Sequence, residues 1–166
     1  MARTTAVLRA FRKAAGAALR RRCRALLMPD VPTIGIDDVV VAVRGEDLAG
    51  RGRGDGGTML LVDVRASRES SVSMIPGAIT RAEYERTREA HGDRLVVSYC
   101  TVGYRSARYT KQLIRRGVDA ANLEGSILAW VGAGLPLTTP GGESTVRIHT
   151  WSRRIKAPPG YLQVVD

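Results

Sequence analysis

Two short runs constrain this chain more than anything else in it. Residues 59–64, Met-Leu-Leu-Val-Asp-Val, and 95–99, Leu-Val-Val-Ser-Tyr, are apolar at nearly every position, not at every second one. An alternating strand has one wet face, whereas a near-continuous apolar run suits a strand covered on both, as in a parallel sheet. After the second run, the spacing predicts a helix over 106–116, with Ala107, Leu113 and Ile114 facing inward and Gly117 as its stop. Residues 118–123 read as a returning strand and 126–132 as another helix. Residues 36–48 read as a leading helix or turn, with Asp37 or Asp38 near its start. Strands alternating with helices predict an α/β fold with a mostly parallel sheet.

The charge is unevenly placed. The chain of 166 residues carries a net +10. Residues 1–29 hold Arg3, Arg9, Arg12, Lys13, Arg20, Arg21, Arg22 and Arg24 with no acid, which leaves 18 basic against 16 acidic residues in the body. A nearly neutral body with 5% aromatics does not read as a nucleic-acid surface. Two cysteines, Cys23 and Cys100, exclude a disulfide framework and a four-cysteine zinc site, and two histidines exclude a histidine-rich metal centre. The apolar stretches are too short and broken for a transmembrane span.

Residues 1–32 form a basic leader. Leu8, Phe11, Ala15, Leu19 and Leu26 line one side of a helix that Pro29 and Pro32 end. An acid-free, Arg-rich start resembles a transit peptide, although Thr4 and Thr5 are its only hydroxylated residues. A solvated helix fits the same pattern, and a helix lying on anionic lipid is a weaker third reading. The expected compartment is therefore cytoplasmic in a bacterium, or mitochondrial matrix or plastid stroma in a eukaryote. Cys23 reads as a spare thiol. The Gly/Arg-rich stretch 50–57 reads as a surface loop.

The chemistry concentrates in Cys100-Thr101-Val102-Gly103-Tyr104-Arg105-Ser106, between a predicted strand and a predicted helix. Ligands of open α/β sheets bind beyond the carboxyl ends of the strands. A turn from Cys100 to Arg105 can aim its N–H groups inward, and a helix from Ser106 adds the positive end of its dipole. Such a cradle holds an anion and lowers the pKa of a thiol within it. Gly103 lets the backbone turn without side-chain strain, and Arg105 adds a fixed positive charge. A lone cysteine at a strand end is an ordinary small core residue. Cysteine, glycine and arginine together at such a junction point to a nucleophile, without separating sulfur transfer from phosphate chemistry.

These segments resemble the rhodanese-like sulfurtransferases, roughly from Thr33 to Leu137. Residues 60–65 with Glu69 look like the family's Leu-Val-Asp-Val-Arg and following Glu, and 75–79 like its Ile-Pro-Gly-Ala-Ile. Residues 100–106 look like its active loop, and 122–130 with Gly134-Leu135-Pro136 like its closing helix. Ser70 stands where an aromatic is usual and Met74 where a histidine is usual, which affects local packing and not the active loop. The resemblance implies a three-layer α/β domain, with a parallel sheet and helices on both faces, over residues 33–138. It implies a sulfur shuttle in which Cys100 becomes a persulfide, with Thr101, Val102, Gly103, Tyr104, Arg105 and Ser106 binding the substrate. The partners implied are a small anionic sulfur donor such as thiosulfate and a thiol or cyanide acceptor, which includes a sulfur-accepting protein. No cofactor and no metal are implied.

Two other classes are weighed against this reading. One is a phosphatase or arsenate reductase using the same loop. The cell-cycle phosphatases similar to rhodaneses place one more residue between cysteine and arginine than the four here, which makes a wider cradle. The other is a non-catalytic binding or sensing module, which the presence of Cys100 argues against. Asp63 and Arg65 read as structural, with Arg65 expected to pair with Glu69. Trp130 is expected in the core and Tyr104 at the mouth of the loop. Residues 139–166 carry Val146, Ile148, Trp151, Ile155, Tyr161 and Leu162, too apolar for a free tail, so this extension is expected to fold back on the domain. Residues 146–149 read as an added strand and His149 as a packing residue.

Overall fold

The computed structural model describes residues 30–43 and 59–165. Five strands line up in parallel: β1 (Thr33–Ile34), β2 (Leu60–Asp63), β3 (Ile79–Thr80), β4 (Val96–Tyr99) and β5 (Ala120–Leu123), in the spatial order β1-β5-β4-β2-β3. β4 is central, with Leu60 opposite Val96 on one side and Ala120 opposite Val96 on the other. β2, β4 and β5 are buried at every position, so their near-continuous apolar composition is explained by cover on both faces.

Side chains alternate between two cores. Leu61, Val97 and Ala121 face one, with Ile127, Trp130 and Val131 of α5 (Ser126–Gly132) and Val39 of α1 (Ile36–Val43). Leu60, Val62, Val96 and Ala120 face the other, with Tyr84 of α3 (Arg81–Thr87) and Tyr109 and Leu113 of α4 (Tyr104–Arg115). The α/β three-layer arrangement expected from the sequence is therefore present. Full burial of a side chain such as Leu113 or Ile127 is worth ~1.5–3 kcal/mol. Trp130 lies in the first core, as expected, with its indole N–H donated to the Pro136 carbonyl at 2.8 Å.

Several boundaries differ from the sequence expectation. The helix after β4 starts at Tyr104, not Ser106, because Gly103 adopts φ +106 as its N-cap and turns the chain two residues earlier. Ile114 is exposed instead of inward, since Tyr109, Thr110 and Leu113 occupy the face against the sheet. Short β1 and β3 and the helix α3 carry too little periodicity to be read from sequence. α3 is set by its cap, where the Thr80 hydroxyl accepts the Glu83 N–H. The 36–48 expectation holds through Val43, beyond which it lies outside the described residues, as do the leader with Cys23 and the 50–57 loop.

The segment after α5 forms two further two-stranded sheets. β6 (Leu137–Thr138) pairs antiparallel with β7 (Ser144–Thr145), and β8 (Arg147–His149) pairs parallel with β9 (Leu162–Val164). The expected strand is thus present from Arg147, joined to β9 and not to the central sheet. Ile148 is buried in the first core, which Tyr161 also flanks. Val146, Trp151 and Leu162, half of the apolar set expected to pack, are exposed, while His149 is buried. The two departures are accommodated locally. Met74 is buried and exchanges backbone hydrogen bonds with Thr138 at 2.7 and 3.0 Å, and Ser70 turns its hydroxyl to the Ala66 and Ser67 carbonyls. Among the described residues no helix is long and apolar enough to cross a membrane.

Candidate active site

Cys100 follows the last residue of β4, at the carboxyl edge of the sheet, and is 1% exposed. Three residues, Thr101 to Gly103, connect it to α4. The turn is tight because Gly103 occupies a left-handed φ that other residues adopt only with strain. That conformation brings the Gly103 N–H to 3.1 Å from the Cys100 sulfur. Burial pushes the Cys100 thiol up. Hydrogen bonds from the Ser106 hydroxyl and from the N–H groups of Ser106, Gly103 and Val102 outweigh it and bring the thiol below its usual range. These donors come from the turn and the first turn of α4, so sequence neighbours alone build most of the cradle.

The floor comes from the next strand. Asn122 of β5 and Ser126 of α5 lie against the inner side of Gly103. The Ser126 hydroxyl accepts the Cys100 N–H at 3.1 Å. The N–H of Ile127 reaches the Cys100 carbonyl at 3.2 Å and that of Leu128 the Thr101 carbonyl at 3.3 Å. Gly125 allows this approach, because a Cβ there would stand 2.6 Å from that of Ala129. Asn122 is buried and its amide has no hydrogen-bond partner among the described residues.

Arg105 also holds a carboxylate. Its Nη1 and Nη2 donate to Glu69 at 2.6 and 2.7 Å, and Nη2 also reaches the Thr101 hydroxyl at 3.0 Å. Thr101 in turn donates to Glu69 at 3.1 Å. Glu69 belongs to α2 (Ser67–Ser70) and is fully buried, which pushes its carboxyl up. Arg105, the Ala66 N–H and Thr101 more than reverse this and hold it down to about 2. Glu69 first, and the Cys100 sulfur behind it, hold the Arg105 guanidinium above its ordinary range. It is therefore not a free cation but one whose charge is shared between a carboxylate and the thiolate.

The expected Arg65–Glu69 pair is not formed. Arg65 instead pairs with Asp63 at 2.6 Å and donates to the Ser73 carbonyl at 2.5 Å. Both partners of that pair are buried, and with Arg65 held by Asp63, Glu69 is left for the loop. Of the residues expected at the site, Thr101 and Ser106 are buried beneath it, while Val102 and Tyr104 are about half exposed and form an apolar rim. Glu69, Asn122 and Ser126 were not expected at the site. Glu69 and the 122–126 segment lay in stretches matched by resemblance, but nothing in their spacing assigned them to the loop.

A profile of the rhodanese-like domain matches residues 47–133. A protein named sulfurtransferase from Allochromatium vinosum is 39% identical over 88 residues, covering 51% of this chain and 82% of that protein. The structure of the Bacillus halodurans protein BH2092 superposes with a TM-score of 0.53 at 18% identity, over 72% of this chain and 85% of the other. That of thiosulfate sulfurtransferase from Pseudomonas aeruginosa gives 0.52 at 25% identity, over 70% of this chain and 21% of the other. A cysteine-bearing turn at the end of the central parallel strand, a profile match over more than half of the chain and these likenesses agree: the chain belongs to the rhodanese-like domain family.

Proposed function

We propose that this protein is a sulfurtransferase that carries a sulfane sulfur on Cys100. The observation that carries the reading is a buried cysteine sulfur at the carboxyl edge of the sheet with the Gly103 N–H 3.1 Å away, its thiol held below the usual range by Ser106, Gly103 and Val102 of the same turn. Those donors favour thiolate, the nucleophilic form, and are placed to hold a persulfide anion afterwards.

In the first step the Cys100 thiolate attacks the outer sulfur of a donor. A bond forms between the two sulfurs while the donor's own sulfur–sulfur bond breaks, and the leaving group departs with that electron pair, as sulfite or as a thiolate. In the second step an acceptor thiolate attacks the outer sulfur of the persulfide. The new sulfur–sulfur bond forms on the acceptor, and Cys100 leaves as thiolate, ready for another round. Thiosulfate and singly charged persulfides both fit a loop whose cation, Arg105, is already shared with Glu69. That sharing also weighs against a phosphatase, which needs its arginine free for a tetrahedral oxyanion.

The test is peptide-resolved mass analysis of Cys100 after incubation with thiosulfate and with glutathione persulfide. A gain of one sulfur on Cys100, removed by added thiol and absent from Cys100→Ser, is the expected result. Full turnover in a variant lacking both Cys100 and Cys23 would sink the proposal, as would hydrolysis of an aryl phosphate with no persulfide at all.

A further inference from the structure

The closing helix α5 starts on a strained residue. Ser126 has φ +54, in the left-handed region, where a side chain crowds the backbone and glycine does not. It is completely buried. In this conformation its Oγ accepts the Cys100 N–H at 3.1 Å. The same oxygen lies 3.4 Å from Ser106 Oγ and 3.4 Å from the Leu123 carbonyl. A hydroxyl has one proton to give, so Ser126 stands between two equidistant acceptors. The Ser106 hydroxyl is also among the groups that hold the Cys100 thiol below its usual range.

We propose that Ser126 is a positioning residue that closes a ring of hydrogen bonds beginning and ending on Cys100. The ring runs from the Cys100 N–H to Ser126 Oγ, from the Ser126 O–H to Ser106 Oγ, and from the Ser106 O–H to the sulfur. When the sulfur is charged, Ser106 commits its proton to it and accepts the proton of Ser126. When the sulfur is neutral, Ser126 turns to Leu123. No proton changes owner; the hydroxyls only reorient. Each donor polarises the next, so the pair stabilises the thiolate more than Ser106 alone would. Strain held at a site by its surroundings is a usual companion of such a role.

The charged group coupled to the sulfur is Arg105 of α4, itself bound by Glu69 of α2. β5 and α5 present the uncharged Asn122 and Ser126 to the loop. The inference deepens the reading of Cys100 as a sulfur carrier and rests on it for its purpose. Its test does not depend on sulfur transfer.

The experiment follows alkylation of Cys100 by iodoacetamide against pH, in full-length protein carrying Cys23→Ser, together with melting temperature. Ser126→Gly relieves the backbone and removes the hydroxyl. Ser126→Ala removes the hydroxyl and keeps the strain. Both are expected to move the alkylation midpoint up by about one pH unit, roughly tenfold lower reactivity below it, while their melting temperatures move apart. Ser126→Gly combined with Ser106→Ala is expected to shift no further than Ser106→Ala alone, because one ring is broken twice. A midpoint unchanged by Ser126→Gly, or midpoints that follow the melting temperatures, or fully additive shifts, would each overturn the ring. Should Ser126→Ala not fold, the cycle with Ser126→Gly decides. If the shifts appear but no persulfide forms, the functional reading fails and the ring stands.

Discussion

Glu69 grips Arg105 through both carboxylate oxygens across 36 residues of chain, and the two side chains differ sharply in exposure. Glu69 is fully covered, while 36% of the Arg105 side chain remains open to solvent. The pair thus fastens the first turn of α4 to the α2 turn behind the loop. Its energetic weight sits on the covered partner.

This asymmetry sets a pH dependence. The carboxyl of Glu69 lies at about 2, against an ordinary 4.5. A carboxyl depressed in the folded state contributes stability that is present above its unfolded value, here above pH 4.5, and is lost as pH falls toward 2. Glu69→Gln is expected to cost ~1–3 kcal/mol at neutral pH. Urea unfolding of both proteins across pH should show the difference shrinking through that window.

Arg105→Ala should be more damaging than Glu69→Gln. It leaves a buried carboxylate without its cation, which costs ~3–5 kcal/mol for a fully buried pair and less here because Arg105 is partly solvated. The double variant Glu69→Gln, Arg105→Ala removes the stranded charge and should melt above Arg105→Ala alone. Thermal melts of the three variants at pH 7 check the order. A double variant less stable than both single ones would contradict it.

Gly103→Ala tests the turn itself. The space beside Gly103 accepts a methyl group, since the nearest atoms would be 3.6 and 3.7 Å away, but its φ of +106 does not suit an L side chain. The expected cost is ~1–2 kcal/mol. Because the strained residue is also the donor of the 3.1 Å N–H···S bond, sulfur transfer near neutral pH should fall by more than the loss in stability accounts for. Comparing kcat/KM with melting temperature separates the two effects.

The sheet and the loop were legible in the sequence because their signals are local. β2 and β4 are mostly apolar, and Cys100 to Ser106 carry their own turn chemistry. What could not be read depends on which distant residue arrives. Arg65 had two acids within reach in sequence, Asp63 and Glu69, and only the tertiary path of α2 assigns Asp63 to it and Glu69 to Arg105. Ser126 resembled an ordinary helix start, and its part in the site follows from a φ value that no pattern of residue types encodes. α3 escaped notice because seven residues with one buried side chain, Tyr84, give no periodicity to detect.

Truncation after Thr138 should unfold or strongly destabilise the protein. It removes Ile148 from the first core, the Tyr161 hydroxyl from the Leu135 carbonyl at 2.5 Å, and the partner of β6. Loss of a fully buried Ile side chain alone costs ~2–5 kcal/mol. Circular dichroism and melting of residues 30–138 against 30–166 measure the difference.

Removal of residues 2–29 is expected to have the opposite outcome. That segment carries eight positive charges and no acid, and its apolar stripe of Leu8, Phe11 and Leu19 is narrow. At ~25 cal/mol per Å² it offers only a few kcal/mol, which ordering the helix would consume. Melting temperature and specific activity should stay nearly unchanged, and unfolding of the shortened chain would place the leader in the core.

The bond from the Cys100 N–H to Ser126 has a consequence for how the protein is made. A ribosome releases Cys100 and the donors of its own turn well before β5 and α5 emerge. Until those later segments dock, the cysteine lacks the Ser126 hydroxyl and the Ile127 and Leu128 amides that fix the loop. A half-made or locally opened chain therefore presents a more ordinary thiol, with ordinary reactivity. The loop is fixed only when the last parallel strand of the sheet is in place, so the reactivity of Cys100 toward alkylating agents is expected to report completed folding.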